Sequence, residues 1–216
     1  MSTIIPAILE TTKADFSEKL NLVTKLPSVE RIQVDFGDGE FVPNRMLSVS
    51  DIDLLNPAFT WEAHLMVKEP KDFFDYQICG FKIVLIHTEA YSGETEVFDA
   101  IAKIRALKLE PGLCLNPQTP VEFLKKFEGK VSQFLLLGVN PGLQGQVFMP
   151  ETLERIKILR KLIPDAKIEV DGGINETNIK SIANAGADLL VVGSALVKAP
   201  NILEAYENLQ KELNKN

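Results

Sequence analysis

Eight short apolar runs recur along the chain, at residues 4–9, 31–36, 59–66, 81–86, 110–115, 131–139, 167–170 and 188–192. They are near-continuous rather than alternating, which is the pattern of strands covered on both faces of a parallel sheet. Stretches of helical periodicity lie between them, at 16–26, 98–107, 120–127, 153–162, 179–185 and 202–213. The last is the clearest, with Ile202, Leu203, Tyr206, Leu209 and Leu213 at three- and four-residue steps. Thr119-Pro120, Pro150-Glu151 and Pro200 carry helix-start chemistry, and Gly80 and Gly186 stand where helices should end. Eight strand–helix units in this chain take about 27 residues each, close to the smallest repeat of a closed eight-stranded barrel. The expected fold class is α/β, a single (β/α)8 TIM barrel over residues 1–216. A doubly wound open sheet competes, because pattern alone does not establish closure; the eightfold count favours the barrel.

Composition narrows the function classes. With 45% hydrophobic and 25% charged residues the chain has enough apolar material for a substantial core, so disorder is excluded. Its net charge of −7 argues against a general nucleic-acid or anionic-membrane surface. No apolar run approaches the length of a membrane span. The start, Met1-Ser2-Thr3, lacks a basic segment and a long apolar one, and reads as the approach to a first strand rather than a leader. Cys79 and Cys114 have no companion ligand spacing and are expected as free thiols in a reducing cytoplasmic setting, with a disulfide between them as the lesser reading.

Chemistry in a parallel barrel concentrates at the carboxyl ends of the strands. Polar residues stand there in sequence order: Glu10, Asp35, His64, His87, Asn116, Asn140, Asp171 and the pair Gly193-Ser194. Singly, each has an ordinary structural use. Asp38 and Asp171 precede glycines and, like Asp35, suit turns; either histidine suits a satisfied core position. Their joint placement at one end of one barrel is what points to a site. Glycine clusters at the same end, Gly142-Leu143-Gln144-Gly145, Gly172-Gly173 and Gly193-Ser194, let backbone N–H groups face an anion without a Lys or Arg. A phosphate ligand is therefore compatible with the acidic charge balance.

Five segments in this order and spacing carry a family resemblance: Val34-Asp35-Phe36-Gly37-Asp38-Gly39-Glu40-Phe41-Val42-Pro43-Asn44, Ala63-His64-Leu65-Met66-Val67, Val139-Asn140-Pro141-Gly142-Leu143-Gln144-Gly145-Gln146, Val170-Asp171-Gly172-Gly173-Ile174 and Gly193-Ser194-Ala195. Together they resemble the ribulose-phosphate 3-epimerase family. The resemblance implies an isomerase that interconverts D-ribulose 5-phosphate and D-xylulose 5-phosphate in the pentose phosphate pathway. It makes Asp35 and Asp171 the catalytic carboxylates, on opposite faces of the substrate. It also implies one divalent metal ion (Zn, Fe, Mn, Co or Mg) on Asp35, His64 and Asp171. The glycine segments, with Leu143, Gln144 and Ser194, become the phosphate site, and Glu10 and His64 face the substrate. A small-molecule sugar phosphate is the implied ligand, without nucleic acid or membrane, and a homo-oligomer the expected assembly.

Departures from the family pattern cluster at the metal. Gln33 stands where the family usually has His, two residues before Asp35 and so facing the same interior spot. The first strand reads Pro6-Ala7-Ile8-Leu9-Glu10, losing two hydroxyls and gaining a carboxylate, and Gly37 and Leu137 replace methionines. Gln144 replaces a loop glycine. These changes predict an altered metal site in which Gln33 or Glu10 supplies the missing donor, with more oxygen and a shift from Zn²⁺ towards Mn²⁺ or Mg²⁺; the equal alternative is that Glu10 faces solvent at the barrel mouth and the metal is bound weakly. They leave open an epimerase for a longer ketose phosphate, such as a hexulose 6-phosphate, and an inactive sugar-phosphate-binding barrel. Two other barrel chemistries lack their residues: no Asp-x-Lys-x-x-Asp segment suits the decarboxylase type, and triosephosphate isomerase wants a Lys where Glu10 stands.

Overall fold

A computed structural model describes residues 2–215 and contains the eight strands β1 (Thr3–Ile8), β2 (Arg31–Gly37), β3 (Thr60–Met66), β4 (Ile83–His87), β5 (Glu110–Leu115), β6 (Gln133–Leu137), β7 (Ile168–Asp171) and β8 (Leu189–Val192). They pair in parallel in sequence order, and β8 returns to β1 through Ile4 opposite Leu190, so the sheet closes. The open-sheet alternative is thereby excluded. Side chains alternate across each strand. Ile32, Val34 and Phe36 of β2 face outward into one large core shared with the helices. Separate small apolar groups, Ile83, Leu85, Cys114, Leu135 and Leu137 with Ile5, Ala7, Leu189 and Val191, form clusters of their own. Fully burying one such large aliphatic side chain is worth about 1.5–3 kcal/mol, which is why a strand such as β8 reads as apolar on both faces, whereas β2, β3 and β7 turn polar side chains inward.

The helices are α1 (Lys13–Val23), α2 (Phe73–Cys79), α3 (Glu94–Ala106), α4 (Thr152–Leu162), α5 (Ile179–Ala185), α6 (Ser194–Val197) and α7 (Ile202–Leu213). Gly80 and Gly186 cap α2 and α5 in the left-handed region at φ 99° and 115°, as their positions predict. Several expectations need correction. The segment expected as a helix at 120–127 is a 3₁₀ helix, Val121–Phe127. Pro200 lies before α7, whose N-cap is Asn201, its side chain accepting from the Leu203 and Glu204 amides. Helix α2 was absent from the periodicity, because Phe74 and Ile78 are exposed and blur its apolar face. Between β2 and β3 only a 3₁₀ turn, Val49–Asp51, is present, so the eight units are unequal.

Strand limits shift for physical reasons. Phe81 falls outside β4 because its N–H closes the end of α2 on the Tyr76 carbonyl, at 3.1 Å. The run 131–139 shortens to β6 because Gly138 turns into the next loop, where its carbonyl accepts from the Met149 N–H at 2.8 Å. The other runs match their strands to within one residue at an end.

Candidate active site

Interior positions of β2 carry Arg31, Gln33 and Asp35, and those of β3 carry Glu62 and His64, with Asp35 opposite His64 in register. On the far side of the barrel Asp171 ends β7, opposite Leu137. Closure brings these strands together at the carboxyl end. Asp35 Oδ1 lies 2.8 Å from His64 Nδ1, and Asp171 Oδ2 lies 3.5 Å from the same nitrogen. Gln33 sits beneath them, fully buried, its amide donating to Asp35 Oδ1 at 2.7 Å and to Asp171 Oδ2 at 2.8 Å. The three-residue arrangement is therefore two carboxylates and one imidazole on a common amide, reached from opposite sides.

Above this floor a cavity is lined by Asp35, His64 and Asp171, by apolar Ala7, Leu9, Met66, Leu137, Val139 and Val191, and by the loops at 140–146, Gly172–Ile174 and Gly193-Ser194. Every site residue expected from sequence is on this wall except two. Gln33 lies under it, and Glu10 faces away, its carboxyl near Asp15, Lys19, Lys198 and Glu18. Alternation explains this: Ile5, Ala7 and Leu9 take the inward positions of the first strand and its continuation, so Glu10, like Ile4 and Ile8, falls on the outer side and stands apart from the cavity. Gln144 reaches the same strand end from the cavity side: its side-chain amide donates to the Leu9 carbonyl, tying the 140–146 loop to the end of β1.

The loops owe their shape to backbone that only glycine adopts without strain. Gly173 has φ 72°, and a Cβ there would stand 2.6 Å from the Phe148 nitrogen. Asp38 anchors the other rim: its carboxylate accepts from the Glu40 and Phe41 N–H groups at 2.8 Å and from Lys68 N–H at 2.7 Å. This turn sets Phe41 with its ring centroid 4.9 Å from that of His87.

Burial decides the electrostatics. Asp35 is raised to about 6, chiefly by burial and partly by Asp171, against the pull of His64. His64 is held above its ordinary value: burial opposes this, and the Cys114 sulfur with the Asp171 and Asp35 carboxylates outweighs it. His87, one of the polar strand ends for which the sequence offered no role, lies against the site with its Nε2 2.9 Å from His64 Nε2. Burial lowers it to about 4, so it is neutral near pH 7.

Among the described residues two donor groups converge closely enough for a metal ion, Asp35–His64–Asp171 and His64–His87–Cys114. The first fits. It offers two carboxylates and an imidazole, and Gln33 Oε1 is a buried oxygen without a hydrogen-bond partner among the described residues. In the second, the 2.9 Å between the ring nitrogens is a hydrogen-bond length. That pair is a hydrogen bond between rings.

The model of the ribulose-phosphate 3 epimerase family matches residues 3–197. Among relatives, the ribulose-phosphate 3-epimerase of Synechocystis sp. is 34% identical, covering 96% of this chain and 92% of its own. The enzyme of that name from Escherichia coli K12 is 34% identical over 98% and 96%, and that from Schizosaccharomyces pombe 31% over 98% and 94%. Among solved structures, a 3-hexulose-6-phosphate synthase superposes with TM-score 0.72 at 16% identity, covering 99% of this chain and 100% of the other. Orotidine 5'-phosphate decarboxylase from Pyrococcus horikoshii gives 0.69 at 18%, with the same coverage. These two likenesses concern the fold.

Proposed function

Since the chain belongs to the ribulose-phosphate 3-epimerase family, an isomerase family acting on sugar phosphates, we propose that it interconverts ribulose 5-phosphate and xylulose 5-phosphate at C3. The observation that carries this reading is the pair Asp35 and Asp171, held on one amide from opposite sides of the cavity floor. The C3 proton is acidic because its removal delocalises the electron pair onto the adjacent C2 carbonyl as an enediolate. One carboxylate takes that proton from one face. The other, protonated, returns a proton to C3 from the opposite face as the C2 carbonyl re-forms, and configuration inverts. The raised Asp35 value suits this exchange, because a proton carrier is most effective when it gains and loses its proton near working pH.

Asp35, His64 and Asp171 would hold a divalent metal ion, with Gln33 as a fourth donor once its amide turns its oxygen, in place of the nitrogen, towards the carboxylates. Such an ion supplies charge stabilisation for the enediolate oxygens. The chain itself orients the carboxylates through Gln33 and His64, and its apolar wall of Met66, Leu137 and Val139 keeps water from the carbanion. The substrate phosphate lies against the backbone of Gly142–Gly145, Gly173 and Gly193-Ser194, where N–H groups compensate its charge without a basic side chain. A cytoplasmic location accords with two free cysteines, and a homo-oligomer with the habit of such barrels, tested by sedimentation.

The test is turnover of ribulose 5-phosphate with added Mn²⁺ or Zn²⁺, followed with C3 proton exchange in D₂O by NMR. Asp35→Asn and Asp171→Asn should each lose about 10²–10⁴-fold in rate. Near-normal turnover by either variant would overturn the two-carboxylate reading. Turnover of a six-carbon ketose phosphate in preference to the five-carbon one would overturn the substrate assignment.

A further inference from the structure

His87 has no role in the chemistry above, yet it is fully buried against it. It ends β4, where the preceding alternate positions, Ile83 and Leu85, are apolar. Its Nε2 is 2.9 Å from His64 Nε2. Its other nitrogen, Nδ1, is buried without a hydrogen-bond partner among the described residues, and Glu89 Oε2 stands 3.5 Å from it, within ion-pair distance. Glu89 in turn is tied down: its Oε1 accepts from the Asn116 backbone N–H at 2.8 Å and from the Thr119 hydroxyl. Burial works against ionisation of Glu89, and the neighbouring His87, the Thr119 hydroxyl and the Asn116 N–H outweigh it, so its carboxyl is held below the ordinary value.

The order of protons along this row follows from what each atom can donate. An ionised carboxylate only accepts, so the single proton of neutral His87 belongs on Nδ1, facing Glu89. His87 Nε2 is then a lone pair and accepts the Nε2–H of His64. A His64 ring held by that bond presents Nδ1 to Asp35 and Asp171, the side on which the distances place it. We infer that His87, oriented by Glu89, is a positioning residue that fixes which nitrogen of His64 faces the two carboxylates. It rests, for its consequence in metal binding, on the donor set proposed above.

Two measurements test it. In the metal-free protein, long-range ¹H–¹⁵N NMR should find His87 as the Nδ1–H tautomer; an Nε2–H tautomer overturns the proposal, whether or not any metal binds. Second, Mn²⁺ affinity is measured by calorimetry for the wild type, His87→Leu and His87→Gln, with Tm for each. Loss of a group that orients a ligand typically weakens metal binding about 10–100-fold. His87→Leu should show that loss at little change in Tm, and His87→Gln, whose amide oxygen accepts the same hydrogen bond, should stay within about threefold of wild type. Unchanged affinity in His87→Leu, or an equal loss in both variants, overturns the positioning role. A wild-type protein that binds no Mn²⁺ would overturn the donor set instead, and the tautomer would still decide the order of the row.

Discussion

Gln33 shows how one side chain changes the character of a site. An imidazole at this position would offer a lone pair to an ion, whereas the amide offers two N–H groups to two carboxylates and leaves its oxygen unpartnered. In the absence of an ion the amide therefore relieves the repulsion between Asp35 and Asp171. As a ligand its oxygen is harder and weaker for Zn²⁺ than imidazole nitrogen. Gln33→His should accordingly tighten Zn²⁺ by at least about tenfold, measured by competition with a chelating dye. Equal affinity in variant and wild type would mean that Gln33 does not contribute a donor. Glu10, the other candidate replacement, points towards Lys19 and Lys198 and has no path to the cavity floor.

The loops above the barrel act in pairs. The loop after β6 and the loop after β7 meet where Gly173 approaches Phe148, and Gln144 ties the first of them to β1. Gly173→Ala would force a Cβ to within 2.6 Å of the Phe148 nitrogen at a φ of 72°, so the loops must part. Strain of this kind costs about 1–3 kcal/mol. If these backbones hold the phosphate, KM for the phosphorylated ketose should rise about tenfold or more while kcat falls less. Steady-state kinetics check this, and an unchanged KM would place the phosphate elsewhere. Helix α2 carries a different lesson. Seven residues with Phe74 and Ile78 turned outward give no clean period, and the packing of Phe73 and Tyr76 on the barrel is what holds it.

The molecule as a whole has a second polar layer at the opposite end of the barrel. Arg31 donates to Glu62, Gln133 donates to Glu62 and Glu169, and Arg31 Nη2 lies 3.7 Å from Glu169. Two enclosed carboxylates share one guanidinium, and Glu169 is held well above its ordinary value by burial and by Glu62. Because its folded-state value exceeds the unfolded one, the stability it contributes is full below the ordinary carboxylate range and is lost as pH rises through the raised value. Glu169→Gln should remove that loss. Its Tm should gain on wild type steadily between about pH 4.5 and pH 8; a constant difference would refute the assignment. Arg31→Leu, which strands both carboxylates, should cost about 3–5 kcal/mol in denaturant unfolding.

Local chemistry along the chain was enough to determine the strands, their parallel sense and the glycine-capped helix ends, because burial imposes apolar runs and glycine alone suits the left-handed caps; strand order and closure came from the tertiary structure. The same reading located Asp35, His64, Asp171 and the glycine loops, since strand ends and tight turns leave marks in nearby residues. What it missed comes from closure. The Arg31–Glu62–Gln133–Glu169 layer draws one residue from each of four strands far apart in sequence, and no local pattern links them. His87 resembles any enclosed histidine until β3 and β4 bring its ring to 2.9 Å from His64. Glu10 and Gln33 were equal candidates as donors in the sequence. Direction separates them: alternation aims Gln33 at the barrel axis with Asp35, whereas on the first strand Ile5, Ala7 and Leu9 take the inward places and leave Glu10 outside, a parity that only the closed barrel fixes.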